Sequence, residues 1–305
     1  MSVYIHGGLR SPIGVLNGQY KHMRPEILGS QVIDEIINRY TISHIDGIFC
    51  GNAVGTGGNL GRLMGLMCNL PNSVPAITVD MQCASALMSI EIAYAHIVSG
   101  IMDSAIAGGI ESSSLQPERV YASGDDREGP YKVAQFTPQD QSPLAMLKGA
   151  ERTIHKYNVT KEDLYPHIIG SHQRASAALD NPYLQSYIMP ITIDGKRCID
   201  ECIRPTMNEK LLSRMKPLLG ADSITNAGNA CLTHDGAAFV YLSNKKGPFK
   251  IHSVKPWAGN PQFSPEGALE STEGILKRTG LTMDDIDVVE WNEAFAIIDA
   301  LFDKS

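Results

Sequence analysis

The sequence predicts an α/β fold with a largely parallel sheet covered on both faces. Over the first third of the chain, short apolar runs bounded by Gly, Asn or Pro alternate with segments at helical spacing. Strand, helix, strand, helix, strand in that order is the pattern of crossover pairing. A similar rhythm returns after Asn226, so that the stretch from Cys50 to Cys83 has a counterpart from Val254 to Asn292.

Each element follows from its residues. Met1–Pro12 reads as a short strand ending in turn residues; without a basic segment and an apolar block it is no signal peptide, and a cytoplasmic chain is expected. Between Arg24 and Tyr40, Ile27, Leu28, Val32, Ile33, Ile36 and Ile37 fall at helical spacing, with Pro25 tolerated in the first turn. Asp46–Cys50 and Val74–Asp80 read as strands, separated by the glycine-rich loop Gly55–Gly61. From Cys83 to Ser99 the chain is apolar nearly all round, which predicts a helix buried inside a domain. Asp103–Ala107 is the next strand, ending at Gly108-Gly109.

The character then changes. From Leu115 to Ile224, Pro, Asp, Gln and Arg are frequent, and helices over Pro143–Tyr157 and Lys161–Leu179 alternate with turns. This is an inserted loop region. Strands return at Ala237–Leu242, Phe249–Val254 and Ile286–Trp291, with helices at Pro265–Thr279 and from Glu293. The expected segments are 1–114, 115–225 and 226–305.

The 305 residues are 43% hydrophobic and 19% charged, which excludes collagen-like, disordered and disulfide-rich classes. No run of eighteen apolar residues argues for a membrane span. A net charge of −7 without blocks of like charge leaves no footprint for nucleic acid or a membrane surface. The six cysteines form no paired framework, so reduced thiols are expected. Cys198 and Cys202 lack the neighbours a zinc site needs, and no metal is expected.

Cys83 is the leading candidate for chemistry. It sits between a strand and a helix, where the helix dipole and the free N–H groups of the first turn favour the thiolate. The alternative is a small buried hydrophobe. The Gly55–Gly61 loop lacks the dinucleotide fingerprint and suits a turn or subunit contact better. His234 and Asp235 are adjacent, so their side chains do not face each other as base and orienter. His155, His167 and His172 lie in the polar inserted region and are solvated or structural; Met146, beside Leu144 and Leu147, reads as core.

Six runs nevertheless resemble, in order, the motifs of the thiolases, which make or cleave a carbon–carbon bond between acyl-CoA units. They are Arg10–Gly14, Cys83–Ser85, Gly108–Ser112, Ser171–Ala175, Ala227–Ala230 followed by Asp235–Ala238, and Asn292–Ala296. One would be weak; six in order over nearly all of the chain are specific. The resemblance implies duplicated half-domains in α-β-α-β-α layers with an inserted loop domain, the second half incomplete. It implies a Cys83 acyl-enzyme, with Asn292 holding a water at one oxyanion site and the Cys83 N–H donating at another. Ala227, Gly228 and Cys231 would line the coenzyme A pantetheine and Met146 would touch the acyl group. No cofactor is implied, since acyl-CoA thioesters are substrates, and the setting is fatty acid metabolism with a homodimer close to Val74–Asp80.

The departures are as specific. Members of the family continue beyond the Asn292–Ala296 run and there supply a histidine in a GHP motif and a second cysteine in a CxG motif. Here no His follows His252 and no Cys follows Cys231. Ala86 stands where the family has glycine, Cys231 where it has serine, and Ala145 where it has histidine. The second sheet would then have an unpaired edge and an uncovered apolar face. The expected function is an acyl-CoA C-acyltransferase that needs a small complementing C-terminal chain. The alternative is a non-catalytic binding or scaffold subunit.

Overall fold

A computed structural model describes residues 1–304 apart from Thr56, Gln139 and Gln141. Thr56, in the glycine-rich loop, and Ser305, at the end of the expected third segment, lie outside the described residues. By internal contacts the chain forms two discontinuous units. The first comprises Met1–Pro117, Leu179–Cys202 and Thr233–Val254; the second comprises Glu118–Ala178, Ile203–Leu232 and Lys255–Ser305.

The first unit is built on a seven-stranded sheet. Its strands are β1 (Tyr4–Arg10), β2 (Gly14–Val15), β3 (Gly47–Gly51), β4 (Ala76–Val79), β5 (Ser104–Ser112), β6 (His234–Ser243) and β7 (Phe249–Lys250). The order is β7-β1-β6-β5-β3-β4, with β2 pairing the start of β6. β3 pairs in parallel with β4 and β5, whereas β6 is antiparallel to β1, β2 and β5. The sheet is therefore mixed, and the expectation of a largely parallel one is corrected. The reason is β6, which comes from the expected third segment but inserts between β1 and β5. Gly108 admits it, because a Cβ there would lie 2.0 Å from the Ala238 carbonyl oxygen. β5 does not end at Gly108-Gly109 but continues to Ser112.

Both faces are covered. Helix α1 (Pro25–Arg39) and the short α2 (Leu60–Gly65) pack Leu28, Val32, Ile36 and Met64 against Ile48, Ile106 and Phe239 on one face. Helix α3 (Ser85–Val98) packs Ala93 and Ile97 on Phe49, Ala105 and Ala107 of the other. Its expected burial on every side is not observed. Only the stripe Ser85, Ser89, Ala93 and Ile97 is buried, and Leu87 is 72% exposed. Small residues at four-residue spacing seat one face of α3 on the sheet, and the opposite apolar face carries no further layer within this unit.

The second unit is helical. Helices α4 (Ala145–Lys156), α5 (Lys161–Ala178) and α7 (Ala296–Lys304) share a core of Ala150, Ile154, Leu164, Ile168, Ile297 and Leu301. Helix α6 (Glu266–Thr279) ends on Gly280 in the left-handed conformation, φ 72°. Of the expected strand at Phe249–Val254 only Phe249–Lys250 is laddered, and Ile286–Trp291 forms no strand. Extended chain becomes a strand only when a neighbouring strand takes its N–H and C=O groups, and no described strand pairs with Ile286–Trp291. No described helix is long and apolar enough to cross a membrane.

Candidate active site

Cys83 stands on a tight turn. After β4, the Asp80 carboxylate accepts the Gln82 N–H at 2.9 Å, and Gln82 takes φ 50°. That conformation costs a residue with a Cβ about 1 kcal/mol, so neighbouring contacts must hold it. Ser85 supplies them. Its Oγ accepts the Met81 N–H at 2.8 Å and donates to the Gln82 carbonyl at 2.6 Å. The result is one 3-10 turn, Gln82–Ala84, that feeds α3 and leaves Cys83 exposed at its N-terminal end. The alternative of a buried hydrophobe is thereby removed.

Glycines on the neighbouring strands make room behind the turn. A Cβ at Gly51 would lie 2.5 Å from the Ala86 nitrogen, and one at Gly109 would lie 3.2 Å from the Ala86 Cβ. Ala86 is thus accommodated by two bare backbones. The buried cysteines contrast with Cys83: burial pushes the thiols of Cys50 and Cys68 up to about 12 and raises that of Cys198.

The second unit gathers the other expected residues. Asn226 Oδ1 accepts the Gly228 N–H, and Asn229 Oδ1 accepts the Asn226 N–H, both at 2.8 Å. These local bonds shape Ala227–Cys231. The Ala296 N–H then donates to the Asn229 carbonyl at 3.0 Å, and the Cys231 N–H to that of Ala294 at 2.8 Å. Cys231 therefore lies in a short pairing of Asn229–Cys231 with Ala294–Ala296, Ala227, Gly228 and Asn292 flank it in sequence, and Asn292 and Cys231 are exposed. A Cβ at Gly228 would lie 2.6 Å from Met215 Sδ, so the Met215 and Leu212 side chains would have to shift. Cys83 belongs to the first unit and the remaining candidates to the second.

Two residues that hold this arrangement escaped the sequence reading. Glu151 on α4 accepts the N–H groups of Ile224 and Thr225 at 2.8 Å, as well as the Ser223 and Thr225 hydroxyls. Burial pushes its carboxyl up, but these donors, led by Thr225, bring it below the usual range. Glu293 accepts from Ser171 Oγ and from Arg174 Nη2, the latter at 3.2 Å, joining Ser171–Ala175 to Asn292–Ala296. No spacing rule pairs either carboxylate with partners so distant in sequence.

Met146 packs against the helical core and also lines a cavity of about 150 Å³. Phe136, Thr137, Asp140, Arg152 and Ser264 complete most of its wall. Met146 is thus both core and pocket lining.

The weaker histidine candidates resolve as structural. Asp235 accepts from the Ser114 N–H and hydroxyl, so it does not orient His234. His155 pairs with Glu151 at 3.2 Å and His167 lies 3.7 Å from Asp303. His172 Nδ1 accepts the Arg204 N–H at 3.3 Å, and burial holds the ring below its ordinary pKa. Among the described residues no three His, Cys, Asp or Glu side chains converge as metal ligands.

The chain that carries this strand-to-helix cysteine and mixed sheet is similar to known proteins over most of its length. The thiolase N-terminal domain family matches residues 3–246. VraB of Staphylococcus epidermidis is 32% identical, over 94% of this chain and 78% of its own. VraB of Staphylococcus aureus is 31% identical, over 94% and 79%. The crystal structure of Bacillus anthracis acetyl-CoA acetyltransferase superposes with a TM-score of 0.91 at 24% identity, covering 99% of this chain and 82% of that one. Human mitochondrial 3-ketoacyl-CoA thiolase in complex with CoA gives the same TM-score and coverages at 25% identity. The chain belongs to the thiolase family, whose members are acyltransferases.

Proposed function

We propose that this protein is an acyl-CoA C-acyltransferase that works through an acyl-enzyme on Cys83. The exposed thiol on the Ser85-held turn, at the N-terminal end of α3, carries the reading. The Cys83 sulfur attacks the thioester carbonyl of acyl-CoA, or the 3-keto carbonyl of 3-ketoacyl-CoA. The carbonyl–sulfur bond to CoA, or the carbon–carbon bond of the ketoacyl substrate, then breaks. The leaving group departs with a proton, and a second substrate takes the acyl group in ping-pong order.

The Cys83 N–H donates to one oxyanion, and Asn292 orients a water toward the other. Ala227, Gly228 and Cys231 border the pantetheine, and Met146 meets the acyl group. CoA thioesters enter as substrates and no cofactor is required. The general base and second acid–base group come from outside these 305 residues. Edge strand β4, with Ile77 45% exposed beside Leu63 and Leu66 of the α2 region, suits pairing with a second copy in the cytoplasm.

Intact mass after incubation with acetyl-CoA and with acetoacetyl-CoA, with Cys83→Ala as control, tests the reading. A Cys83-dependent acetyl adduct is expected. Coenzyme A binding without an adduct assigns activation of the thiol to groups outside these 305 residues. Neither binding nor adduct in the folded chain favours a scaffold subunit and overturns the proposal.

A further inference from the structure

The cavity beside Met146 is unevenly furnished. Of its two charged wall residues, Asp140 is already engaged by Lys148 at 3.1 Å and by the Ser142 N–H at 2.8 Å. Arg152 has no such engagement. It lies one turn beyond Lys148 on α4 and shares the helix face of Ala145, another wall residue. Its charge reaches Asp140 through space, yet it makes no hydrogen bond or ion pair among the described residues. Ser264, another wall residue, has an Oγ shut off from solvent and without a hydrogen-bond partner among the described residues.

Buried hydroxyls are normally satisfied, and a guanidinium presents a fork of donors matched to a carboxylate. Met146 and Phe136 supply apolar wall between these polar groups. A short apolar stem with a negatively charged, oxygen-bearing end matches the apolar wall and the Arg152 fork together. We infer that the cavity receives an acyl group whose far end carries a carboxylate, so that the substrate class is the CoA thioester of a short dicarboxylic acid. The inference rests on the proposed role of Met146 at the acyl group. Size agrees: cavities of about 150 Å³ take a benzene-sized guest, and a four-carbon dicarboxylic acyl group is of that order.

Titration calorimetry on the Cys83→Ala chain, with succinyl-CoA, acetyl-CoA and free CoA, measures the pocket without acyl transfer. Succinyl-CoA is expected to bind about tenfold more tightly than acetyl-CoA, the worth of one charge-assisted contact. Arg152→Met should erase that advantage while leaving acetyl-CoA and free CoA unchanged; Arg152→Lys should keep part of it. Equal affinity for the two thioesters, or an advantage that survives Arg152→Met, overturns the inference. So does an equal loss for all three ligands, which would assign Arg152 to the CoA phosphates. Intact mass of the Cys83-containing chain separates the two readings. Binding with no adduct from either thioester assigns activation of the thiol to groups outside these 305 residues, while the binding ratio still decides the pocket. No binding by any of the three ligands overturns both.

Discussion

The Ser85 hydroxyl donates to the Gln82 carbonyl oxygen at 2.6 Å and so closes the turn on which Cys83 stands. Because the same Oγ accepts the Met81 N–H, one side chain spans both ends of the turn. Ser85→Ala removes both bonds at a buried site and leaves Gln82 in its left-handed conformation with less support. The expected cost is about 1–2 kcal/mol in denaturant unfolding. The rate of Cys83 acylation, followed by intact mass, should fall about tenfold as the turn relaxes. An unchanged acylation rate would show that the turn holds without its serine.

Glu151 should matter more than its place on α4 suggests. Glu151→Ala leaves the Ile224 and Thr225 N–H groups without their acceptor, an expected loss of about 2–3 kcal/mol. If Ala227–Cys231 borders coenzyme A, CoA affinity by calorimetry should fall too. Affinity at the level of the parent chain would separate this loop from the binding site.

The cysteines should sort by exposure. Under native conditions iodoacetamide is expected to alkylate Cys83 and Cys231, which are exposed. Cys50 and Cys68, buried and pushed to about 12, should react only after unfolding. Peptide mapping by mass spectrometry reads all four in one experiment.

Acid should destabilise the fold from near neutrality. Burial holds His234 below the ordinary histidine value, against the pull of the Asp235 carboxylate, and its Nε2 is buried with no partner. Burial, then the Arg204 charge, does the same to His172. For a base lowered in the folded state, the unfolded chain takes the proton first as pH falls. Stability is then full above the unfolded value, about 6.5, and is lost as pH falls below it. Urea midpoints between pH 5 and 7.5 should show this slope, and His234→Leu should flatten it. An equal slope in the variant would move the effect to other groups.

Gly108 should tolerate no side chain. A Cβ there would meet the Ala238 oxygen at 2.0 Å and the Phe239 Cα at 2.6 Å, both backbone atoms that cannot step aside. Gly108→Ala is expected to cost about 3 kcal/mol by forcing β5 and β6 apart. Gly267→Ala, with open space at its Cβ, is the matched control within α6 and should be neutral or stabilising.

Much of the local structure was legible in the residues. Helical spacing from Ile27 to Ile37 anticipated α1, and short apolar runs anticipated β3 and β4, because periodicity reports which side of an element meets the core. The position of Cys83 between a strand and a helix was legible for the same reason. The partners of Glu151 and Glu293 were not, since a carboxylate on a helix or loop gives no sign of which distant N–H or hydroxyl it will accept.

The sequence by itself determined the succession of strands and helices, the six ordered motifs and the cysteine at the strand-to-helix turn. These are properties of neighbouring residues and survive without knowledge of the rest of the chain. Tertiary structure alone decided that β6 enters antiparallel between β1 and β5, because the space beside Gly108 exists only once β5 is in place. It also decided which face of α3 is buried, and that Ile286–Trp291 remains unladdered. Periodicity describes a single segment, whereas pairing and burial belong to the neighbours that the fold brings to it.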